Sequence, residues 1–433
     1  MTKRHFIIIL FFSLLTSERL YSSGYKINIQ ISGFRDDTIF MADYYGNKSF
    51  VKDTVILNSD GTGSFEGKNN LSPGIYAIVL PKKQFFDILI NKEQNFKITS
   101  DTSDIFGKLK FDGSDESDWY WQFQSHLMKN HNKPDYFIKD LITKHPNSLF
   151  ARYAVLSLSP EYSFNSDSSS IVQKFKEQYT YLTDHYFDNI NLSDSLLLKT
   201  PAFYEKINYF FNSLLSQQAD TIINKIKKIM TGIDVKSPVY KYLVSYLINN
   251  YQQNQHTKLE NVYVFIADNF YLDGKAPWTS ETYIKLLKTR IDQLKTSLIG
   301  SKAPNLMLET QGRRSSAIYD IRAEHVLLIF YDIDCSICCN QINELKEIYE
   351  GQKILGLKIV AIYIHTDFAS WDEFIKDNKL HWINLFDPSI SSDYRRLYNI
   401  QKVPELFLLD KNKIIVDKYF TASQLEEIMK QKR

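Results

Sequence analysis

His325-Val326-Leu327-Leu328-Ile329-Phe330-Tyr331-Asp332-Ile333-Asp334-Cys335-Ser336-Ile337-Cys338-Cys339 is an apolar run that ends in a cluster of thiols. His325 to Tyr331 reads as one continuous buried strand. The C-x-x-C lies just past its end, and a helix opens immediately after, with Ile342 to Tyr349 amphipathic. At a helix start, unpaired N–H groups and the macrodipole favour an anion, here a thiolate. The three-residue step lets the two sulfurs close a disulfide across the helix's first turn. Cys335, nearer the exposed end, is expected to attack, and Cys338, one turn in, to resolve the mixed disulfide. The chain has 3 cysteines, all in this cluster. That excludes a disulfide-stapled fold and an all-cysteine zinc site. Cys339 points about 100° round the helix from Cys338. It reads as a small buried hydrophobe, with an auxiliary thiol as the alternative.

Outward from this stretch, strand and helix alternate. Leu357 to Ile364 reads as a second buried strand and Trp371 to Asn378 as a helix. Glu405 to Leu409 and Lys413 to Asp417 read as strands joined by the turn Asp410-Lys411-Asn412, and Ser423 to Lys430 as a terminal helix. Such alternation predicts an α/β layer structure with a central sheet. His365 and His381 fall near the sheet's ends and read as structural or exposed. Tyr331 and Trp371 read as core or surface aromatics.

Strand–CxxC–helix, then Val403-Pro404 before a strand, Asp410-Lys411-Asn412-Lys413, strand and helix, resembles the thioredoxin fold. More narrowly it resembles exported TlpA/ResA-like thiol-disulfide oxidoreductases. Ile299-Gly300-Ser301-Lys302-Ala303-Pro304-Asn305-Leu306 is similar to the G-x-x-A-P opening of those domains. The resemblance implies that Pro404 is cis and packs beside the disulfide, and that the Val403 backbone pairs with the substrate chain. Cis X-Pro bonds are otherwise uncommon, about 5–6% in folded proteins.

The chain departs from that family at three places. The usual tryptophan before the first cysteine is Asp334, whose charge opposes a neighbouring thiolate. Ser336-Ile337 supplies neither cation nor proline. Both features disfavour the reduced, thiolate form, so a potential on the reducing side is expected. Where many relatives place a proton-accepting glutamate, three residues after the second cysteine, this chain has Gln341. Glu344, one turn on, is the candidate in its place, with a solvated surface residue as the alternative. A peroxiredoxin site, Pro-x-x-x-Thr-x-x-Cys, is missing before Cys335, which argues against peroxidase activity.

Upstream, Tyr25 to about Asp112 alternates apolar and polar residues in short runs. Turn signals such as Asn58-Ser59-Asp60-Gly61 and Ser72-Pro73-Gly74 separate them, predicting a small β-sandwich. From about Glu116 to Leu298 the period becomes helical; Tyr283, Leu286, Leu287, Ile291 and Leu294 mark one apolar face. The aromatics crowding these helices read as core packing, with an aromatic-lined peptide groove as the alternative. Together with Leu196-Leu197-Leu198-Lys199-Thr200-Pro201 and Val264-Phe265-Ile266-Ala267-Asp268-Asn269-Phe270, this region resembles multidomain envelope proteins of Gram-negative bacteria. In those, uncharacterised β and helical domains precede a thioredoxin-like domain.

Lys3 and Arg4, the apolar Phe6 to Leu15 and the small residues Ser22-Ser23-Gly24 follow the order of a secretory signal peptide. The apolar run is about ten residues, about half of what spans a bilayer, so cleavage is expected over a retained anchor. Lysine plus arginine number 52 against 50 aspartate plus glutamate in 433 residues. That balance argues against a nucleic-acid partner, and 44% hydrophobic against 24% charged residues argues against disorder.

The chain is therefore expected to be multidomain. A signal peptide (1–23) precedes an N-terminal β-sandwich (24–112), a middle α-helical domain (113–299) and a C-terminal α/β thioredoxin-like domain (300–433). The expected function is thiol-disulfide oxidoreduction in the periplasm or cell envelope, on disulfide-containing protein substrates, with a membrane electron donor for re-reduction. Cys335 and Cys338 are the catalytic pair, Val403 and Pro404 the substrate-binding pair and Glu344 the candidate proton acceptor; no metal and no cofactor are expected. The competing reading is a binding or scaffold protein with a static Cys335–Cys338 disulfide.

Overall fold

The computed structural model describes residues 24–130, 136–163, 170–252, 257–350 and 356–431. The signal-peptide reading falls on residues 1–23, outside the described residues. The chain divides into two compact units, Met1–Asn208 and Tyr209–Arg433, so the helical region is shared between them.

The first unit begins with a β-sandwich. Its strands are β1 (Tyr25–Ser32), β2 (Thr38–Tyr45), β3 (Lys48–Ile56), β4 (Thr62–Gly67), β5 (Gly74–Val79), β6 (Phe85–Ile90), β7 (Asn95–Asp101) and β8 (Lys110–Asp112). They form two four-stranded sheets, ordered β4-β1-β7-β8 and β3-β2-β5-β6. Alternation puts Ile27, Ile29 and Ile31 of β1 into one core with Met41, Tyr76, Ile88 and Ile98. Helices follow, the first over Asp115–Lys129, where the Ser114 side chain accepts from Ser117 N–H as an N-cap. The buried Glu116 carboxylate accepts from Asn91 Nδ2 at 2.7 Å and from Phe150 N–H at 2.8 Å. It thereby ties the sandwich to the start of the Leu149–Ala154 helix.

The second unit joins helices Ala219–Thr231, Pro238–Gln252, Glu260–Ile266 and Glu281–Lys295 to a C-terminal α/β domain. That domain has strands β9 (Met307–Thr310), β10 (Ser315–Ala317), β11 (His325–Tyr331), β12 (Leu357–Tyr363), β13 (Ile383–Phe386), β14 (Glu405–Asp410) and β15 (Ile415–Lys418). They make one sheet ordered β10-β9-β13-β12-β11-β14-β15. The central strands β11, β12 and β13 run parallel; β14 and β15 continue antiparallel. β11 is covered on both faces, which is why it reads as a continuous apolar run. Leu327, Ile329 and Tyr331 face a core that holds Cys338, Trp371 and Leu406. Val326, Leu328 and Phe330 face the other core, with Tyr398, Phe407 and Ile415. Each such side chain contributes about 1.5–3 kcal/mol by leaving water. Tyr331 and Trp371 are both core residues, linked by Trp371 Nε1 donating to Tyr331 Oη at 2.9 Å.

The helices dock on the second face of the sheet through polar contacts. Lys418 of β15, 1% exposed, pairs with Glu260, 0% exposed, and donates to the Ser297 carbonyl at 2.8 Å. Arg290 donates to Asn399 Oδ1 at 2.9 Å, and Thr296 Oγ1 to the Leu397 carbonyl at 2.6 Å.

Candidate active site

β11 delivers the chain to the C-terminal edge of the sheet, and a short turn converts strand into helix. Asp332 builds that turn: its Oδ1 accepts from Asp334 N–H at 3.1 Å and its carbonyl from Cys335 N–H at 3.4 Å. The helix Ser336–Glu350 starts next, and its first turn is closed by Cys339 N–H on the Cys335 carbonyl at 3.0 Å. Cys335 occupies the N-cap. Its sulfur accepts from Cys338 N–H at 3.3 Å, the position a capping oxygen normally takes. The helix end thus donates directly to the sulfur of the half-exposed Cys335.

Cys338 is fully buried. Burial, then the contact with Cys335, pushes its thiol up to about 12. Cys339 is half-buried, short of the buried hydrophobe expected from sequence, and its thiol donates to the Ile333 carbonyl at 3.4 Å. Burial and the charges of Cys335 and Asp332 raise that thiol as well. All three cysteines carry free thiols.

The Val403–Pro404 peptide bond is cis. Val403 packs against the core cluster that contains Cys338 and that Cys335 also touches, so residues 65 and more positions apart in sequence share one patch. Glu405, directly after Pro404, alternates with Leu406 onto the opposite face of the sheet, where it is 5% exposed. Its Oε1 has no hydrogen-bond partner among the described residues.

Gln341 and Glu344 point elsewhere. Gln341 Oε1 accepts from Ala422 N–H at 2.6 Å and its Nε2 donates to Glu344 Oε2 at 3.3 Å. The same Glu344 oxygen accepts from Ser423 N–H at 3.1 Å. Both side chains therefore hold the turn that opens the C-terminal helix.

His365 is exposed, as read from sequence, and its ring also reaches the site. Its Nε2 lies 3.0 Å from Asp332 Oδ2. Sequence reasoning missed this pair because 33 positions separate its members. The only available signal was that both residues directly follow buried strands. His381, just past the end of the 368–378 helix, is exposed. Among the described residues, no group of three or more His, Cys, Asp or Glu side chains is placed to hold a metal ion. Nor is any helix among them long and apolar enough to cross a membrane.

Residues 299–418 match the AhpC/TSA family. The C-terminal domain is thioredoxin-like. Two domains of unknown function precede it, DUF4369 matching residues 25–120 and DUF5106 matching residues 159–295. Curated relatives of the thioredoxin-like domain are named thiol-disulfide oxidoreductase ResA. The protein from Bacillus thuringiensis subsp. konkukian is 24% identical over 135 residues, spanning 30% of this chain and 77% of that relative. The one from Bacillus subtilis is 25% identical over 132 residues, spanning 30% and 71%. A solved thioredoxin-like protein from Bacteroides caccae aligns with 63% of this chain and 100% of its own, at 21% identity and a TM-score of 0.47. The C-terminal domain therefore has a thioredoxin-like fold and is similar to relatives named thiol-disulfide oxidoreductases.

Proposed function

We propose that the chain exchanges disulfides with exported proteins through Cys335 and Cys338. The observation that carries this reading is the Cys338 N–H donating to Cys335 Sγ, with Cys338 itself buried behind. An accessible sulfur held by a helix start suits attack, and a sheltered thiol three residues on suits resolution. Cys335 thiolate attacks one sulfur of a substrate disulfide, the other leaves as a thiolate, and a mixed disulfide forms. Cys338 then attacks Cys335 Sγ, and the second substrate sulfur leaves. The substrate gains two electrons and two protons, and the Cys335–Cys338 pair loses them.

Val403 and cis Pro404 are assigned to dock the substrate strand, because Val403 packs on the cluster shared by both cysteines. Residues 1–23 are assigned to export as a cleaved signal peptide, which N-terminal sequencing of the mature protein tests. An exported reductant needs re-reduction, so a membrane electron donor is the implied partner. With Asp334 before the first cysteine and neither cation nor proline in Ser336-Ile337, a midpoint potential below about −150 mV is expected. Reduction of insulin disulfides by the full chain tests the activity itself. Cys335→Ser should abolish turnover, whereas equal rates would leave only a static staple.

A further inference from the structure

Glu405 is the first residue of β14, paired with Phe330 of β11 and joined directly to Pro404. Strand alternation sends its side chain away from the cysteines, to the face that Phe407 shares. Lys418 of β15 lies opposite Phe407 in register, with its Nζ 6.0 Å from the centre of that ring. Glu405 and Lys418 are therefore diagonal neighbours on one face. Lys418 is already engaged, with the Glu260 carboxylate and with the Ser297 carbonyl at 2.8 Å. The other Glu260 oxygen accepts from Tyr419 Oη. Glu405 is 5% exposed, and its Oε1 has no partner among the described residues. The charged and titratable groups around it are Lys402 on its own loop, Lys418 and Tyr419 at the end of β15, and Glu260 at the start of the 260–266 helix. Arg290, on the 281–295 helix, is turned to Asn399. Val403, two residues before Glu405, packs against both cores of the domain, the one with Cys338 and the one with Phe407.

A carboxylate stripped of water and left without a donor is costly, and the lysine beside this one is shared with Glu260. Glu405 therefore keeps its proton at neutral pH; burial raises its carboxyl to about 8. We propose that Glu405 is a positioning residue: its uncharged side chain anchors the start of β14 on the face away from the cysteines and so fixes Val403-Pro404 for a docking substrate strand. This rests on the dithiol reading above, with Val403-Pro404 as its docking segment. Ionisation sets a bare charge in that layer. The charge is relieved by turning towards Lys418 or towards water, and either movement carries the start of β14 and the two residues before it. The substrate class is thereby narrowed. A disulfide within a polypeptide, which lies along Val403, senses Glu405; a small disulfide that meets only Cys335 does not.

The test compares oxidation of the reduced full chain by insulin, a polypeptide disulfide, and by 5,5′-dithiobis(2-nitrobenzoate), a small one. Both react with the Cys335 thiolate, so its own titration cancels in the ratio of the two rates. In the wild type, a docking form lost with one ionisation near 8 lowers that ratio about tenfold from about pH 7 to about pH 9. The loss should show as weaker saturation by insulin at an unchanged maximal rate. Glu405→Gln, neutral at every pH, should keep the neutral-pH ratio throughout and leave the small-disulfide rate within about twofold. Glu260→Gln releases Lys418 to the Glu405 carboxylate and should move the fall to lower pH. A side chain that only fills space would move no profile. Ratios that fall in parallel in wild type and Glu405→Gln, or a wild-type ratio that stays flat, overturn the inference and leave the proposed function standing. If Glu405→Gln does not fold, the other two profiles decide, and a fall that Glu260→Gln does not shift overturns it. A reduced chain that neither disulfide oxidises sinks the dithiol reading instead.

Discussion

Glu405 follows the cis bond at Pro404, buried, with one oxygen lacking a partner. Burial outweighs the attraction of Lys418 and Lys402 and raises its carboxyl from an ordinary 4.5 to about 8. The folded chain therefore holds a proton that the unfolded chain releases. The stability this group contributes is complete below pH 4.5 and is lost as pH rises through about 8. Glu405→Gln keeps the shape and removes the titration. Urea midpoints measured across that window should fall with pH in the wild type and fall less in the variant; parallel slopes would exclude Glu405 as the source. The two cysteines of the C-x-x-C differ in the same physical terms. Cys338 is buried with its thiol raised, while Cys335 is half-exposed. Iodoacetamide at neutral pH should label Cys335 well before Cys338, read by peptide mass spectrometry, and equal labelling would contradict the assigned roles.

At the scale of elements, the helix Glu260–Ile266 and strand β15 are joined by the Glu260–Lys418 pair, buried on both sides. Removing one partner leaves the other charge stranded away from water, so Glu260→Ala should cost about 3–5 kcal/mol. The double variant Glu260→Met with Lys418→Met should cost far less, and urea denaturation of both measures the difference. Much of this layer was legible from sequence. The strands over 325–331 and 357–363 were found because a parallel strand covered on both faces is apolar throughout. Met307–Thr310, Ser315–Ala317 and Ile383–Phe386 were missed because three or four residues leave too little alternation to detect. The helix Ile171–His185 lies inside the region read as helical, with Ile171, Val172 and Phe175 of its first turns exposed. Within that helical region, the helix Glu260–Ile266 passes into a π turn at Ala267–Tyr271, which no local pattern signals. The cysteine pair and Pro404 could be read because strand, thiols and helix are contiguous and Val-Pro precedes a strand. The Asp332–His365 contact could not, since strand register is a property of the folded sheet and no local pattern encodes it.

At the scale of the molecule, the family match begins at residue 299, whereas the compact unit begins at Tyr209. The helices between supply Glu260 to Lys418, the Ser297 carbonyl to the same lysine and Arg290 to Asn399. A fragment spanning 209–433 should therefore unfold cooperatively and at higher urea than one spanning 299–433, which lacks all three groups. Equal midpoints would mean that the helices add nothing to the thioredoxin-like domain.

The bond from Cys338 N–H to the Cys335 sulfur makes one amide a witness to the chemistry beside it. While Cys335 is a thiolate that amide donates to an anion. Once the sulfur is consumed in a disulfide, the acceptor weakens and the first turn of the helix loses its cap. The chemical shift and deuterium uptake of this single backbone proton should therefore track the fraction of oxidised protein, without a dye, a substrate or a reporter fusion.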